Sequence, residues 1–163
     1  MTLKPILLPT DALGTTLLVK VVQNTLNGVA LAVKADYGVT TRTWTNKPKF
    51  TIEKPDDETR VVATDSAIFK YVDEGTRPHI IRPRRTGRLT WMGTAYRAKT
   101  KPNVIGSTRG GNDNTIVYTK LVQHPGTEAR RLTLAIREKW SKEMAVRMEK
   151  ALADAVIAVS GRK

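Results

Sequence analysis

Near the end of the chain, Leu132, Ile136, Trp140, Met144, Met148, Leu152 and Val156 recur every four residues. A strand would put Glu138, Lys142 and Lys150 on the same face as these apolar side chains, whereas an α-helix separates them into one apolar stripe. The spacing predicts a helix over 127–160, with Thr127 as N-cap and Glu128 near the positive end of the helix dipole. At 1.5 Å per residue it would run roughly 45–50 Å. Glu138 with Lys142 and Glu143 with Arg147 stand four residues apart in the favourable order for helix ion pairs. A strict four-residue repeat drifts around a straight helix, so the stripe should wrap slowly across its partner. In a chain of 163 residues so long a stripe is hard to bury within one subunit. Trp140, Met144 and Met148 are therefore candidates for a subunit interface.

The other elements follow from weaker signals. Thr10 and Asp11 are N-cap residues, and Leu18, Val22, Leu26, Ala30 and Val33 recur at spacings of three and four, which predicts a first helix over 10–36. Gly38 in "ADYG" reads as its stop. Residues 48–123 read as antiparallel sheet. "KFTIEK" alternates, "KPDDET" is a turn and "TRVVAT" is a strand placed to pair back. "AIFKYVDEG" reads as a strand, or as one turn of helix followed by a strand. "HIIRP", "GRLTWMG" and "NTIVYTKLVQ" complete a sheet of about four to six strands. The stretch 93–114, rich in glycine and basic residues, reads as a flexible loop. Helices at both ends of a run of strands indicate an α+β fold, with the closing helix packed on the sheet, in one domain over 1–163.

Composition narrows the chemistry. Cysteine is absent, which removes disulfides, thiolate metal sites and a cysteine nucleophile. No unbroken apolar run approaches the eighteen residues of a membrane span, and the N-terminus lacks the apolar core of a secretory signal. The two histidines, His79 and His124, each stand beside a proline, without metal-ligand spacing. Asp73 and Glu74 are adjacent, and on a strand they would face opposite ways. No phosphate loop or nucleophile–histidine–acid order is present, so neither an enzyme nor a cofactor is expected. The net charge is +13. Between Gly75 and Asn112 stand Arg77, Arg82, Arg84, Arg85, Arg88, Arg97, Lys99, Lys101 and Arg109 with no acid among them. Such a strip is either a solvated surface or one that faces a polyanion, with Trp91 and Tyr96 in reach of bases. A small basic module that binds nucleic acid regardless of sequence is thus one reading of the chain.

Two stretches together point elsewhere. "YVDEGTRPHIIRP" and, one basic loop later, "VQHPGTEARRLTLAI" with a long helix resemble the neck or tail-completion proteins of long-tailed bacteriophages, also described as minor tail or head–tail joining proteins. The resemblance rests on Tyr71, Glu74, Gly75, Thr76, Pro78, His79, Pro83, His124, Pro125, Gly126 and Thr127, and covers roughly the second half of the chain. It implies a structural virion subunit, made in the bacterial cytoplasm, that forms a ring of six copies around the DNA channel. Head-closure and tail-terminator proteins would be its neighbours, with non-specific contact to genomic DNA and none to membrane. It also gives the motif residues a role as corners. Gly75 would turn the chain sharply, Pro78 and Pro83 would stiffen the segment between them, and the two histidines would lie together and pin both corners by hydrogen bonds.

Overall fold

Two long helices run antiparallel and carry most of the buried surface. The computed structural model describes residues 12–85, 87–93, 98–108 and 115–160. Helix α1 spans Ala12–Thr41 and α3 spans Leu132–Ser160. Leu26, Val29, Ala30 and Tyr37 are the buried side of α1, and Leu132, Ile136, Trp140 and Ala155 that of α3. The four-residue stripe therefore does face a partner, and that partner is mainly α1 rather than the strands. Leu132 and Ile136 are fully enclosed at one end, while Met144, Met148 and Leu152 further along are half-buried. Asp36 ties the pair at its closed end: its Oδ2 accepts from Lys139 Nζ at 2.8 Å and from Trp140 Nε1 at 2.7 Å.

Both helix boundaries differ from the sequence reading, for identifiable reasons. Helix α1 runs through Gly38, because burial of Tyr37, Thr40 and Thr41 holds its last turn against the core, and both threonine hydroxyls donate back to the carbonyls of Asp36 and Tyr37. Helix α3 begins at Leu132 rather than at 127. Arg131 has φ of 51°, a left-handed conformation through which a right-handed helix cannot extend, and Thr127 is engaged elsewhere.

A third helix, α2, spans Ala67–Glu74, where the sequence left open a strand or one turn of helix followed by a strand. Ser66 caps it by accepting from Phe69 N–H at 3.3 Å. Phe69 is buried, Val72 is half-buried against the core, and Tyr71 points to solvent. Phe69 fills the centre of an aromatic cluster. Tyr37 stacks on Phe50 at 4.6 Å, and Phe69 meets Tyr37 and Phe50 edge-on at 5.7 and 5.2 Å, with Trp44 at 6.1 Å. Burial pushes the Tyr37 phenol above its usual range, opposed by a hydrogen bond with Thr133.

The strands are antiparallel and short, and they pair in twos instead of forming one sheet. Strands β1 (Thr51–Glu53) and β2 (Val61–Ala63) form a hairpin with Ile52 opposite Val62. Arg60 holds it to α1 through Asn27 Oδ1 at 2.6 Å. Strand β3 (His79–Ile81) pairs with β6 (Val122–His124), and β4 (Leu89–Met92) with β5 (Ile116–Thr119). These last two pairs follow one another along the same two stretches of chain and make one ribbon, with 82–85 and 87–88 in a bulge between the pairs on one side and 120–121 between them on the other. Strands of three or four residues offer too little apolar surface to bury the stripe of α3, which is why the helices pack on each other.

The segment 98–108 does not hang free. Thr100 is buried, and Ile105 packs on the core. Gly106 N–H donates to Thr40 Oγ1 at 2.9 Å, and Asn103 N–H donates to the carbonyl of Arg130 at 2.8 Å. The remainder of the glycine-rich stretch, including Tyr96, Arg97 and Arg109, lies outside the described residues.

In α1, Thr16–Thr41 is long and apolar enough to cross a membrane by length and composition, although its polar residues break every long unbroken run. Only 17% of its most apolar window is buried within the chain. The core helix of a soluble protein and a signal sequence pass the same test.

Candidate functional site

Most of the residues that carry the resemblance converge on one place. Helix α2 ends at Glu74, and Gly75 leaves it with φ of 79°. Thr76 then forms an isolated antiparallel bridge with Thr127. Thr76 N–H donates to the Thr127 carbonyl at 3.0 Å. Thr127 N–H returns a bond to the Thr76 carbonyl at 3.1 Å and lies 3.0 Å from Thr76 Oγ1. Thr127, read from sequence as a helix cap, is instead half of this bridge.

Each glycine of the motif pair is closed over by the opposite strand. A Cβ on Gly75 would stand 2.6 Å from the Thr127 carbonyl oxygen and 2.9 Å from Ala129 N. A Cβ on Gly126, where φ is 92°, would overlap the Thr76 carbonyl oxygen and stand 3.1 Å from Pro78 N. Positive φ and missing space act together, so both positions require glycine. We call this reciprocal arrangement the clasp.

Its upper end is sealed by helix termini. The carbonyls of Val72 and Asp73, left unpaired at the end of α2, accept from Arg130 and Arg131 N–H at 3.0 Å each. The Asp73 carboxylate in turn accepts from Thr133 N–H at 3.0 Å and caps α3 from outside its own sequence. Asp73 thus holds backbone at the start of α3, and Glu74, exposed on the same short helix, lines with it an open cleft bordered by Arg131 and Arg137. Glu128, expected near the dipole of α3, stands before the helix and pairs with Arg130 at 3.6 Å.

At its lower end the two histidines sit directly opposite each other in the β3–β6 pair. Their rings stack with centroids 5.0 Å apart. His79 Nδ1 lies 2.8 Å from the Arg77 carbonyl, so it is the protonated nitrogen of that ring. His124 Nδ1 accepts from Gly126 N–H at 3.0 Å, so it carries no proton. The rings therefore use their Nδ1 atoms in opposite senses, each to fix its own turn. Among the described residues no cluster of histidine, aspartate and glutamate could hold a metal ion. Tyr71, on α2, and Pro125, in the second turn, are both exposed. Pro83 is half-buried just beyond β3, and Pro78 enters that strand.

Beyond the clasp the ribbon is open. Arg82, Arg84, Arg85 and Arg88 crowd the exposed bulge, with the Arg88 guanidinium 4.8 Å from the centre of the Tyr118 ring. Arg77 is exposed at the start of the ribbon. Lys99 and Lys101 belong instead to the docked 98–108 segment, where Lys99 Nζ donates to Thr45 Oγ1 at 3.2 Å. The basic strip is thus divided between two elements. The pairing register puts Thr90, Met92, Ile116 and Tyr118 on one ribbon face and Leu89, Trp91, Val117 and Thr119 on the other. Met92, Ile116 and Tyr118 are each at least half exposed.

The proposed interface residues separate. Trp140 is buried inside the subunit, bonded to Asp36 and flanked by Lys139 and Arg147, so it is core rather than interface. Met144 and Met148 line an open groove with Leu18, Val19, Val22 and Leu26. Sequence reasoning missed Asp36, and it considered Asp73 only as a carboxylate beside Glu74, not as a helix cap. Each acts on a residue far away in sequence, and no local pattern marks that.

No protein-family model matches the chain, and no curated protein or solved structure matches it either.

Proposed function

We propose that the chain is a structural subunit of a long-tailed phage virion, a ring-forming neck or tail-completion protein that joins head to tail around the DNA channel. One observation carries the reading: most of the residues on which the resemblance rests meet in a clasp whose threonines and histidines, with the neighbouring Asp73, hold the backbone. Glycines close the approach, threonines bridge, and the histidines and Asp73 bond to main chain. Such a clasp fixes the direction in which the ribbon leaves the helices, which a repeating assembly needs. The exposed apolar face of the ribbon and the sparsely covered α1 are surfaces that neighbouring subunits would cover. The copies, six in such a ring, would stack between head-closure and tail-terminator proteins. The ribbon arginines, with Lys99 and Lys101, would contact acidic neighbours or passing DNA without reading sequence.

The test is the mass and image of the full chain, alone and mixed with the head and tail components of its phage. A closed ring in either case supports the proposal; a single copy under every condition overturns it. The second reading, a sequence-independent nucleic-acid binder, draws on the exposed arginines of the ribbon, one of which, Arg88, lies over the Tyr118 ring. It requires a monomer whose affinity for DNA falls steeply with salt.

A further inference from the structure

We infer that the ribbon of one copy docks in the α1–α3 groove of the next copy, head to tail. This rests on the ring reading above and specifies the surfaces involved. The groove has a volume of about 530 Å³, and its apolar lining is Leu18, Val19, Val22, Leu26, Met144 and Met148. Its polar rim is Gln23, Asp57 and Glu58. The two acids come from the β1–β2 turn, which with Asp56 gathers three of the chain's 15 acidic residues in consecutive positions. Asp56 is engaged in its own turn, where Glu58 N–H donates to Oδ1 at 2.8 Å. The groove continues toward Tyr37, where Arg60 and Arg137 join the lining, and Arg60 is already bonded to Asn27 and to three carbonyls of the turn.

The ribbon is the complement of this groove. Met92, Ile116 and Tyr118 form an exposed apolar face, and Arg84 and Arg85 are exposed in the adjacent bulge. Apolar surface would meet apolar surface, and a basic edge would meet an acidic rim. The complementarity argues for a second copy because both halves belong to one chain that carries +13 overall. Copies so charged repel one another unless opposite charges face each other at the contact. Two different patches on one chain make a heterologous contact, which repeats around an axis and gives a ring where its rotation closes.

The experiment uses the full chain and reads the concentration at which it half-assembles, by light scattering and native mass measurement. Asp57→Lys with Glu58→Lys should raise that concentration about tenfold or more by placing like charges together. Arg84→Glu with Arg85→Glu should do the same. Combining all four should recover most of the loss, since the charges then face each other reversed. Circular dichroism and thermal unfolding check that each variant is folded. As a second readout, Met92→Cys with Met148→Cys in this cysteine-free chain, treated with a short bis-maleimide, should give a ladder of covalent multimers. A ring in which neither reversal matters, or in which the combination recovers nothing and no ladder forms, overturns this inference and leaves the ring reading standing. A wild-type chain that stays single under every condition overturns both.

Discussion

The clasp and the outer ribbon are parts of the same two strands, yet they meet opposite physical conditions. At the clasp, 75–79 and 124–127 are so close that neither glycine admits a side chain, and main-chain groups of both segments are bonded across the gap. Further out, at 89–92 and 116–119, the same strands pair with each other. Large apolar side chains there face outward. A two-stranded ribbon alone is marginally stable in water. The clasp anchors one end of it, and the docked 98–108 segment lies within the loop that joins its strands. The difference teaches where the chain satisfies itself and where it is left to be satisfied by others.

Substitutions should sort along that line. Gly126→Val should have the largest effect, since a β-branched residue meets both positive φ and the Thr76 carbonyl; we expect a loss of about 3 kcal/mol or more in denaturant unfolding, or no soluble protein. Gly75→Val should act alike. If either variant unfolds like wild type, the clasp is not closed as described. Asp36→Ala removes the acceptor of Trp140 Nε1 and Lys139 and should cost about 2 kcal/mol by the same measurement, without altering the ribbon. Asp73→Ala deletes the cap of Thr133 N–H and should cost about 1 kcal/mol. Ile116→Ser with Tyr118→Ser should change unfolding by no more than about 0.5 kcal/mol, because the side chains are already exposed. The same pair should abolish assembly. A ribbon variant that unfolds the subunit would erase the contrast, and one that assembles normally would reverse it.

How legible this was depends on distance along the chain. The α3 stripe is local and regular, and it marked the helix and its apolar side. The hairpin 51–63 was legible for the same reason. At α2 the sequence left a strand and a helix turn followed by a strand open, because Ile68, Phe69, Tyr71 and Val72 are β-branched or aromatic and so suit a strand, although Ser66 before them and Gly75 after them are helix boundary residues. The start of α3 was misplaced because its cap, Asp73, is sixty residues away. The 98–108 segment seemed free on composition alone, since its anchors, Thr40 and the Arg130 carbonyl, lie in other elements. The histidine pair was anticipated from the two turns, and register puts the rings face to face.

The account rests on a clasp that is closed within one subunit and a ribbon that closes only between subunits. Hydrogen–deuterium exchange on the dilute and the assembled chain tests this most directly. Amides of Thr76, Thr127, Arg130 and Arg131 should be protected in both states, whereas those of 89–92 and 116–119 should become protected only on assembly. Ribbon amides already slow in the single copy and unchanged in the assembly, or clasp amides that exchange freely, would contradict it.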